Sequence, residues 1–250
     1  MIRGLYTATT AMLTQERRMD VVVNNLSNAT TVGYKQDSLL SRSFDDMMIE
    51  RMNDPSIVQR TEDVGPLNTG IHVDEVMTHF AVGSLQETKS ATDVAILGDG
   101  FFAVETPEGE RLTRAGNFKL DPEGFLTTAS GHRVLGENGQ INIGTSDFSI
   151  DSTGNIQAGG QMIDRLRIMG VEDETTLRKQ GGNLYTLQGG EATPAEQVQL
   201  RQGFIEMSNV DLSNQMVNMI EIQRSYEINQ RMIRIMDEKL GKTVNELGKV

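Results

Sequence analysis

The sequence predicts an α+β protein in which long amino- and carboxy-terminal helices pair as a coiled-coil-like bundle, with an antiparallel all-β body inserted between them. Three observations support this prediction: an apolar seam along the last forty or so residues, a matching seam along the first thirty, and glycine-punctuated short apolar runs in the middle. A chain that leaves on one amphipathic helix and returns on another brings its two ends side by side.

The carboxy-terminal seam has the spacing of a long helix. Its apolar residues follow the 4-3-7-7-7-4-3 spacing of packed helices: Leu212, Met216, Met219, Tyr226, Ile233, Leu240, Val244 and Leu247. A second row widens the apolar face, so this helix must be covered by something: Val217, Ile220, Ile228, Met232, Ile235 and Met236. Ser208 and Asp211 have the form of a capping box, which predicts where the helix begins. A helix over 208–250 would be roughly 60 Å long; the alternative is a core helix of an ordinary bundle, although such helices typically span ~8–20 residues.

The amino-terminal seam supplies a partner helix. Its members follow a 3-4-7-3-4 spacing: Leu5, Ala8, Met12, Met19, Val22 and Leu26. The pattern ends in NNLSNATTVGYK at 24–35, where short polar side chains compete with the backbone for hydrogen bonds. We expect Asn24, Asn25, Asn28 and Gly33 to shape the exit from this helix, with Gly33 supplying a positive φ.

The middle of the chain predicts many short strands. Residues 36–53 indicate a short helix or an adaptable packing segment, and 53–55 and 65–66 indicate turns or a linker. Beyond 70, two Pro-Glu-Gly turns at 107–109 and 122–124 predict hairpins joining 101–105 to 111–114 and 117–120 to 125–128. Further strands are expected at 163–170 and 183–187, with a short helix or turn at 175–179. Because there is no βαβ alternation, we expect no parallel sheet, and no repeat of ~20–50 residues is evident.

These elements predict three domains: a helical domain of 1–35 and 200–250, a connecting arm of 36–70, and a β-rich outer domain of 71–199. Charge follows the same division. The net charge is −12, and residues 54–205 hold 11 basic and 22 acidic residues, whereas 1–53 hold 6 of each and 206–250 hold 6 basic and 7 acidic. Balanced ends suit association, and the acidic body argues against nucleic acid or an anionic membrane as a partner.

No chemistry-bearing constellation stands out. The chain has no cysteine, no secretory signal pattern and no apolar run long enough to cross a membrane. His72 and His79 lack the spacing of a zinc site, and Gly98-Asp99-Gly100 lacks the rest of a nucleotide loop. We therefore predict no catalytic, cofactor-binding or metal-binding residue, no cofactor, no small-molecule substrate and no enzymatic activity.

Three stretches resemble the bacterial flagellar rod and hook proteins. They are NNLSNATTVGYK at 24–35, TDVAILGDGFFAVETPEGERLTRAGNFKLDPEGFLTTASGHRVLG at 92–136, and QGFIEMSNVDLSNQMVNMIEIQRSYEINQRMIRIMDEKL at 202–240. The resemblance covers nearly the whole chain and is closest to rod subunits of the FlgF/FlgG type. The family usually has Ala and Asn where this chain has Ser27 and Thr30, and the chain is too short for the outer domains of a hook protein.

The resemblance implies a structural axial subunit of the flagellar basal-body rod that polymerises through its terminal helices into a hollow helical tube. This tube would transmit torque and enclose the export channel, and QMVNMIEIQRSYEIN at 215–229 favours the distal over the proximal rod. The implied partners are further copies, other rod and hook axial proteins, and the flagellar export apparatus. The implied location is the basal body in the cell envelope, outside the cytoplasmic membrane, reached without a cleaved signal peptide.

The expected subunit interface uses the two seams. Its residues are Leu5, Met12, Met19, Leu26, Met216, Met219, Tyr226, Ile233 and Leu240. Two alternatives remain: an envelope enzyme that acts on peptidoglycan through carboxylates of the acidic body, and a soluble coiled-coil adaptor with stable helical termini.

Overall fold

The computed structural model describes residues 2–52, 61–145, 147–189, 192–195 and 198–247. Two helices lie at the ends of the chain: α1 spans Ile2–Ser27 and α2 spans Leu212–Leu247. With 36 residues, α2 is about 54 Å long at 1.5 Å per residue. The predicted α+β class, with terminal helices and a mainly β body, is confirmed. The coiled-coil-like pairing of the helices stays a prediction.

Short strands fill the chain between the helices. The first eleven are β1 (Asp37–Ser43), β2 (Met47–Met52), β3 (Thr61–Leu67), β4 (Ile71–Thr78), β5 (Leu85–Glu87), β6 (Val94–Leu97), β7 (Phe101–Thr106), β8 (Gly109–Thr113), β9 (Lys119–Leu120), β10 (Leu126–Thr127) and β11 (Arg133–Gly136). The others are β12 (Gly139–Gln140), β13 (Phe148–Ile150), β14 (Asn155–Ala158), β15 (Gln161–Arg165), β16 (Ile168–Gly170), β17 (Leu177–Gly181), β18 (Leu184–Leu187), β19 (Thr193–Pro194), β20 (Gln199–Gln202) and β21 (Phe204–Glu206), with a 3₁₀ turn at Glu174–Thr176.

The largest sheet has ten strands in the order β17-β18-β8-β7-β11-β10-β9, with β12 beside β11, β16 beside β7 and β19 beside β16. It is antiparallel throughout, as the absence of βαβ alternation predicts. A second sheet holds β13, β14 and β15, and two-stranded sheets pair β1 with β4, β2 with β3, β6 with β20, and β5 with β21. The two predicted hairpins are confirmed, and Gly109 and Gly124 have positive φ in their turns.

The chain divides into two compact units. Unit 1 comprises Met1–Leu26, Asp37–Met77 and Leu212–Val250, and therefore holds most of α1, the β1–β4 and β2–β3 sheets, and α2. Unit 2 comprises Ser27–Gln36 and Thr78–Asp211, and it contains the two apolar cores. The larger core packs around Phe102, Phe118 and Ile156, and the smaller one around Phe101 and Tyr185.

Two local predictions are wrong. The segment 36–53 was expected to be a short helix or packing segment, but 37–43 and 47–52 are strands, paired with β4 and β3 respectively. The capping box at Ser208 does not form either, because α2 begins at Leu212 and the Ser208 hydroxyl accepts from the Val210 amide at 3.3 Å. The turn expected at 53–55 lies outside the described residues, as does the expected end of the helix at 248–250.

A short turn pattern of nine residues occurs twice in the β body. The pattern Phe-x-Leu/Ile-Asp-x-x-Gly-x-Leu/Ile begins at Phe118 and again at Phe148. In both copies the Asp side chain, Asp121 or Asp151, accepts from the amides two and four residues later, at 2.8–2.9 Å. Both turns therefore join neighbouring strands in the same way, β9 to β10 and β13 to β14.

Within unit 1, α1 lies along the β1–β4 ribbon and also touches α2. The Arg18 guanidinium donates to the Ser41 hydroxyl of β1 at 3.2 Å. A Cβ atom at Gly70 would lie 2.3 Å from the Thr10 hydroxyl oxygen, and one at Gly4 would lie 2.6 Å from Cε of Met236 on α2. These close approaches show that small residues let the elements of unit 1 pack against each other.

Candidate assembly surface and buried charge cluster

The terminal helices expose an unusual amount of apolar surface. Twelve large apolar side chains on α1 and α2 are exposed: Tyr6, Leu13, Val23, Leu212, Met216, Val217, Ile220, Tyr226, Ile228, Met232, Ile235 and Val244. An exposed concentration of large apolar side chains is a candidate interaction site. We define this set as the helix stripe, and it is the candidate assembly surface.

The structure places the predicted interface residues in two environments. Met216 and Tyr226 belong to the helix stripe and are 54% and 37% exposed. The others are half-buried: Leu5, Met12, Met19, Leu26, Met219, Ile233 and Leu240. The predicted seam of α2 therefore faces partly inward, whereas most of its second row, including Val217, Ile228 and Ile235, faces solvent.

The predicted helix-exit residues also differ in environment. Asn25 is buried, and its side-chain amide forms a two-way pair with the backbone of Asp37, donating to its oxygen at 2.7 Å and accepting from its amide at 2.9 Å. This pair mimics a strand pairing and joins the last turns of α1 to the start of β1. Asn24 is exposed on the helix, and the Asn28 side chain accepts from the Thr31 hydroxyl at 3.2 Å.

Gly33 sits at a point where no other residue fits. Its φ is +68°, and a Cβ atom there would lie 2.5 Å from the backbone nitrogen of Ala115. Both the left-handed conformation and the backbone contact require glycine. Its amide donates to the backbone oxygen of Glu206 at 2.8 Å, so the exit segment lies directly on the strand that precedes α2.

A buried cluster of three charges lies beside Gly33, entirely within unit 2. The Glu206 carboxylate accepts from Nζ of Lys35 at 2.6 Å and from Nε of Arg114 at 2.6 Å. The three side chains are 1–3% exposed. We refer to Lys35, Arg114 and Glu206 as the charge triad.

The hydrogen-bonding groups of the charge triad have many partners. Lys35 also donates to the backbone oxygens of Phe80 at 3.1 Å and Ala81 at 2.9 Å. Arg114 donates to the backbone oxygens of Gly98 and Gly100, and Glu206 also accepts from the Gly83 amide at 2.9 Å. Buried charges are tolerated only when they are paired and hydrogen-bonded in this way.

Neighbouring polar contacts connect the cluster to the two parts of unit 2 that lead to the terminal helices. The Asn209 side chain accepts from the Gln36 amide at 2.7 Å and donates to the backbone oxygens of His79 and Ala81. Lys179 donates to the backbone oxygen of Lys35 at 2.5 Å. The segment that follows α1 and the segment that precedes α2 are thus bound to the same part of the β body.

The environment of the triad shifts the pKa values of its members. Burial alone would raise the pKa of Glu206, but the Arg114 charge and the hydrogen bonds from Lys35 and Gly83 outweigh it and lower the pKa below its usual range. Burial lowers the pKa of Lys35, and the Glu206 carboxylate opposes that shift. Nearby, burial and the Asp99 charge raise the pKa of Glu174.

The charge triad was not predicted from the sequence. Each member lies in a stretch that the sequence singled out for another reason: Lys35 in the helix-exit motif, Arg114 in a hairpin strand, and Glu206 before the long helix. The available signal was a single charge inside an otherwise apolar or polar-neutral run, as in Gly-Phe-Ile-Glu-Met at 203–207. The partners are up to 171 residues apart, so no local pattern pairs them.

Two cavities in unit 2 differ in size. Asp99 and Glu174 line a cavity of about 20 Å³ beside Lys35 and Arg114, which has room for a water molecule but not for a sugar ring, whereas Glu137, Arg165 and Arg167 line a cavity of about 250 Å³. No group of three or more His, Asp or Glu side chains in the described part of the chain is arranged to hold a metal ion. Neither described helix is long and apolar enough to span a membrane.

Three family profiles match the chain in order along its length. The profile described as flagella basal body rod protein matches residues 5–35. The flagellar hook protein FlgE/F/G D1 domain matches residues 95–158, and the flagellar basal body rod FlgEFG protein C-terminal domain matches residues 201–247. The three profiles cover α1 with its exit segment, a large part of the β body, and α2.

Relatives that align over almost the whole chain are named as flagellar hook-basal body and basal-body rod proteins. The flagellar hook-basal body complex protein FlhO of Bacillus subtilis is 33% identical over 100% of both chains. The flagellar basal-body rod protein FlgG of Bacillus subtilis is 34% identical over 98% of this chain and 99% of its own. The flagellar basal-body rod protein FlgF of Caulobacter vibrioides is 33% identical over 100% of both.

A β body with its own core and terminal helices that expose an apolar stripe define a structural subunit suited to association. The chain belongs to the FlgF/FlgG family of bacterial flagellar basal-body rod proteins. This is a family of structural rod and hook proteins, in agreement with the prediction of a non-enzymatic role.

Proposed function

We propose that the protein is an axial subunit of the flagellar rod that polymerises through the helix stripe of unit 1 into a hollow tube around the export channel. The observation that carries this proposal is the exposure of twelve large apolar side chains on the two helices. Burying such a stripe against neighbouring copies contributes about 1.5–3 kcal/mol for each fully covered side chain.

The proposed assembly is a tube and not a closed oligomer. In a tube, one surface of each copy meets a different surface of the next copy. Such heterologous contacts between identical subunits generate helical assemblies when the rotation does not close. The partners are further copies and other rod and hook axial proteins.

Folding of the helices is coupled to assembly in this proposal. An isolated helix with an exposed apolar stripe is marginally stable in water, because its stability normally comes from tertiary packing. Ordering the helices only on contact with neighbours keeps the free subunit from polymerising early. Such a chain can also be threaded through the flagellar export apparatus without a cleaved signal peptide and fold in the basal body, outside the cytoplasmic membrane.

We place the subunit in the distal rod, on the strength of the stretch at 215–229. The identities to FlgG and FlgF relatives are 34% and 33%, so overall similarity does not separate the two positions. Proximity labelling from tagged subunits at each end of the rod would test the placement. Labelling by hook-proximal neighbours supports the distal rod, and labelling only by neighbours at the membrane end contradicts it.

The assembly surface is tested by a matched pair of methionine substitutions. Met216 on α2 and Met162 on β15 are exposed to similar extents, 54% and 61%, but only Met216 belongs to the helix stripe. We expect Met216→Asp to abolish rod assembly and swimming in a strain that lacks the native subunit. Met162→Asp should support both.

Folding of each variant is checked by thermal unfolding of the purified chain, where both should match the parent protein. Met219→Asp and Ile233→Asp should also block assembly while leaving the β body folded. These two side chains are half-buried, so Met216→Asp is the cleaner test. Normal incorporation of Met216→Asp subunits into rods would contradict the proposed surface.

A further inference from the structure

The charge triad ties together four segments that are distant in sequence. Through its side chain Glu206 binds Lys35, Gly83 and Arg114, and through its backbone oxygen it binds Gly33. Two of these segments are the ones from which the terminal helices emerge: Ser27–Gln36 follows α1, and the residues after Glu206 lead to α2. We refer to 27–36 and 207–211 as the approach segments.

The charges of the triad do not balance without Glu206. Lys35 and Arg114 are both cationic, both nearly fully buried, and share one carboxylate. If that carboxylate is absent, the two cations face each other in a buried site. Asp99 and Glu174 line the adjoining small cavity, but among the described contacts neither carboxylate is hydrogen-bonded to Lys35 or Arg114. Leaving a buried charge without its partner is strongly unfavourable, and two like charges raise the cost further.

The contacts beyond the triad also depend on the ion pairs of Glu206 with Lys35 and Arg114. Asn209 joins Gln36 to the 79–81 loop, and that loop carries the two carbonyl groups that accept from Lys35. If Lys35 is driven out by repulsion from Arg114, the loop loses one of its attachments and the approach segments lose their common anchor. The larger apolar core contains neither a triad residue nor a residue of this loop, whereas the smaller core includes Phe80 of the loop.

We propose that Glu206 is a positioning residue whose negative charge holds both approach segments on the β body, and that without this charge the approach segments detach while the larger apolar core stays folded. The inference concerns the folded chain alone and holds whether or not the chain forms a rod. In this proposal the triad holds in place the segments through which the chain leaves and re-enters unit 2.

The triad offers a test in which hydrogen bonds and charge can be separated. The side chains of Lys35 and Glu206 each make three hydrogen bonds. Lys35→Met removes three bonds but leaves Glu206 and Arg114 as a neutral pair. Glu206→Gln disturbs three bonds and leaves two buried cations without a hydrogen-bonded anion.

The measurement is hydrogen exchange followed by mass spectrometry on the dilute, full-length protein. We expect Glu206→Gln to speed exchange in the 27–36, 79–83 and 207–211 peptides by on the order of a hundredfold, with little change in the core strands. Lys35→Met should speed the same peptides far less. The double variant Lys35→Met/Glu206→Gln should be slower to exchange than Glu206→Gln alone, because one of the two cations is gone.

The outcomes of these experiments support or overturn the proposed role of the Glu206 charge. Equal effects of Lys35→Met and Glu206→Gln would overturn the proposal, since hydrogen-bond loss alone would then explain both. Unchanged exchange of the approach segments in Glu206→Gln would overturn it as well. Unfolding of the whole body in Glu206→Gln would also overturn the proposal, because the larger apolar core is expected to stay folded without this charge. None of these results depends on assembly, so they leave the assembly test with Met216→Asp independent.

Discussion

Units 1 and 2 bury their apolar residues to very different extents. Among the described residues, 25 of the 28 buried apolar side chains lie in unit 2, whereas unit 1 contributes only Ala8, Val22 and Ile222. Conversely, 17 of the 20 exposed large apolar side chains lie in unit 1. Unit 2 buries most of its large apolar side chains within itself. Unit 1 leaves most of its large apolar side chains exposed, where another surface can cover them.

Polar groups show the same contrast. Unit 2 buries the charge triad, which is tolerable only in a body that is already well packed. Unit 1 buries neutral groups instead, such as Asn25, Thr14 and Gln215. Neutral hydrogen bonds suit a unit that, as proposed above, orders against its neighbours, because burying a neutral group costs less desolvation than burying a charge.

The largest expected difference between the units comes from truncating one apolar side chain in each. Phe102→Ala removes a fully buried ring that packs edge-on against Phe118 at 5.0 Å, and should destabilise unit 2 by about 3–5 kcal/mol. Ile228→Ala removes a side chain that is 63% exposed and should change stability by no more than about 0.5 kcal/mol. Urea unfolding of the two variants measures both. Equal losses would show that α2 already has a core of its own.

Glycine substitutions sharpen the contrast. Gly33→Ala in unit 2 forces a side chain into the left-handed region and against the backbone of Ala115, and should cost at least about 1–3 kcal/mol. Gly241→Ala in α2 meets no atom within 4 Å and should instead stabilise the helix by about 0.5–1 kcal/mol. Thermal unfolding, followed by the circular dichroism signal of the helices, measures whether each substitution stabilises or destabilises the protein. A neutral Gly33→Ala would mean that the exit segment is not held as described.

The neutral anchor of unit 1 predicts a smaller effect. Asn25→Ala removes both hydrogen bonds to the backbone of Asp37 and should weaken the attachment of β1 to α1 by about 1–3 kcal/mol. Glu16→Ala, on the exposed face of the same helix, is the control and should have almost no effect. Exchange rates of β1 amides report the difference. Identical rates in the two variants would remove Asn25 from its anchoring role.

Titration of Glu206 should have the smallest effect on stability at neutral pH. Its effect should be clearest in acid, where the carboxylate is protonated. Its folded pKa is below its unfolded value of 4.5, so its stabilising contribution is complete above pH 4.5 and is lost as pH falls through the folded pKa. The Gly83 amide, which donates to this carboxylate, should report the transition in ¹⁵N spectra as a shift below pH 4.5. Glu174 also faces Lys35 and Arg114 and titrates higher, so Glu174→Gln serves as the control. A Gly83 shift centred above pH 4.5 in that variant would contradict the assignment.

The parts of the fold that were predicted correctly are those fixed by local patterns. The 3.6-residue periodicity marks both helices, and the two Pro-Glu-Gly turns mark their hairpins, because these signals lie within a few residues of each other. Strands β1 and β2 were missed because neither has a clean period of two. Their strand conformation depends on pairing with β4 and β3, which lie well beyond any local window.

The predicted interface residues show a further limit. Periodicity identifies an apolar seam but not which of two neighbouring rows faces the rest of the subunit. Packing of α2 turned Met219, Ile233 and Leu240 partly inward and left Ile228 and Val217 in solvent. Their membership of a subunit interface stays a prediction, as do the domain boundaries.

The most direct test of the contrast between the units is hydrogen exchange of the dilute, unassembled protein, resolved by segment. We predict that the strands around Phe102, Leu126 and Ile156 exchange at least about a thousandfold more slowly than α1 and α2, and that the helices gain protection only when subunits assemble. Helices that are as protected in the dilute subunit as the core strands would contradict this prediction, because unit 1 would then be complete without neighbours.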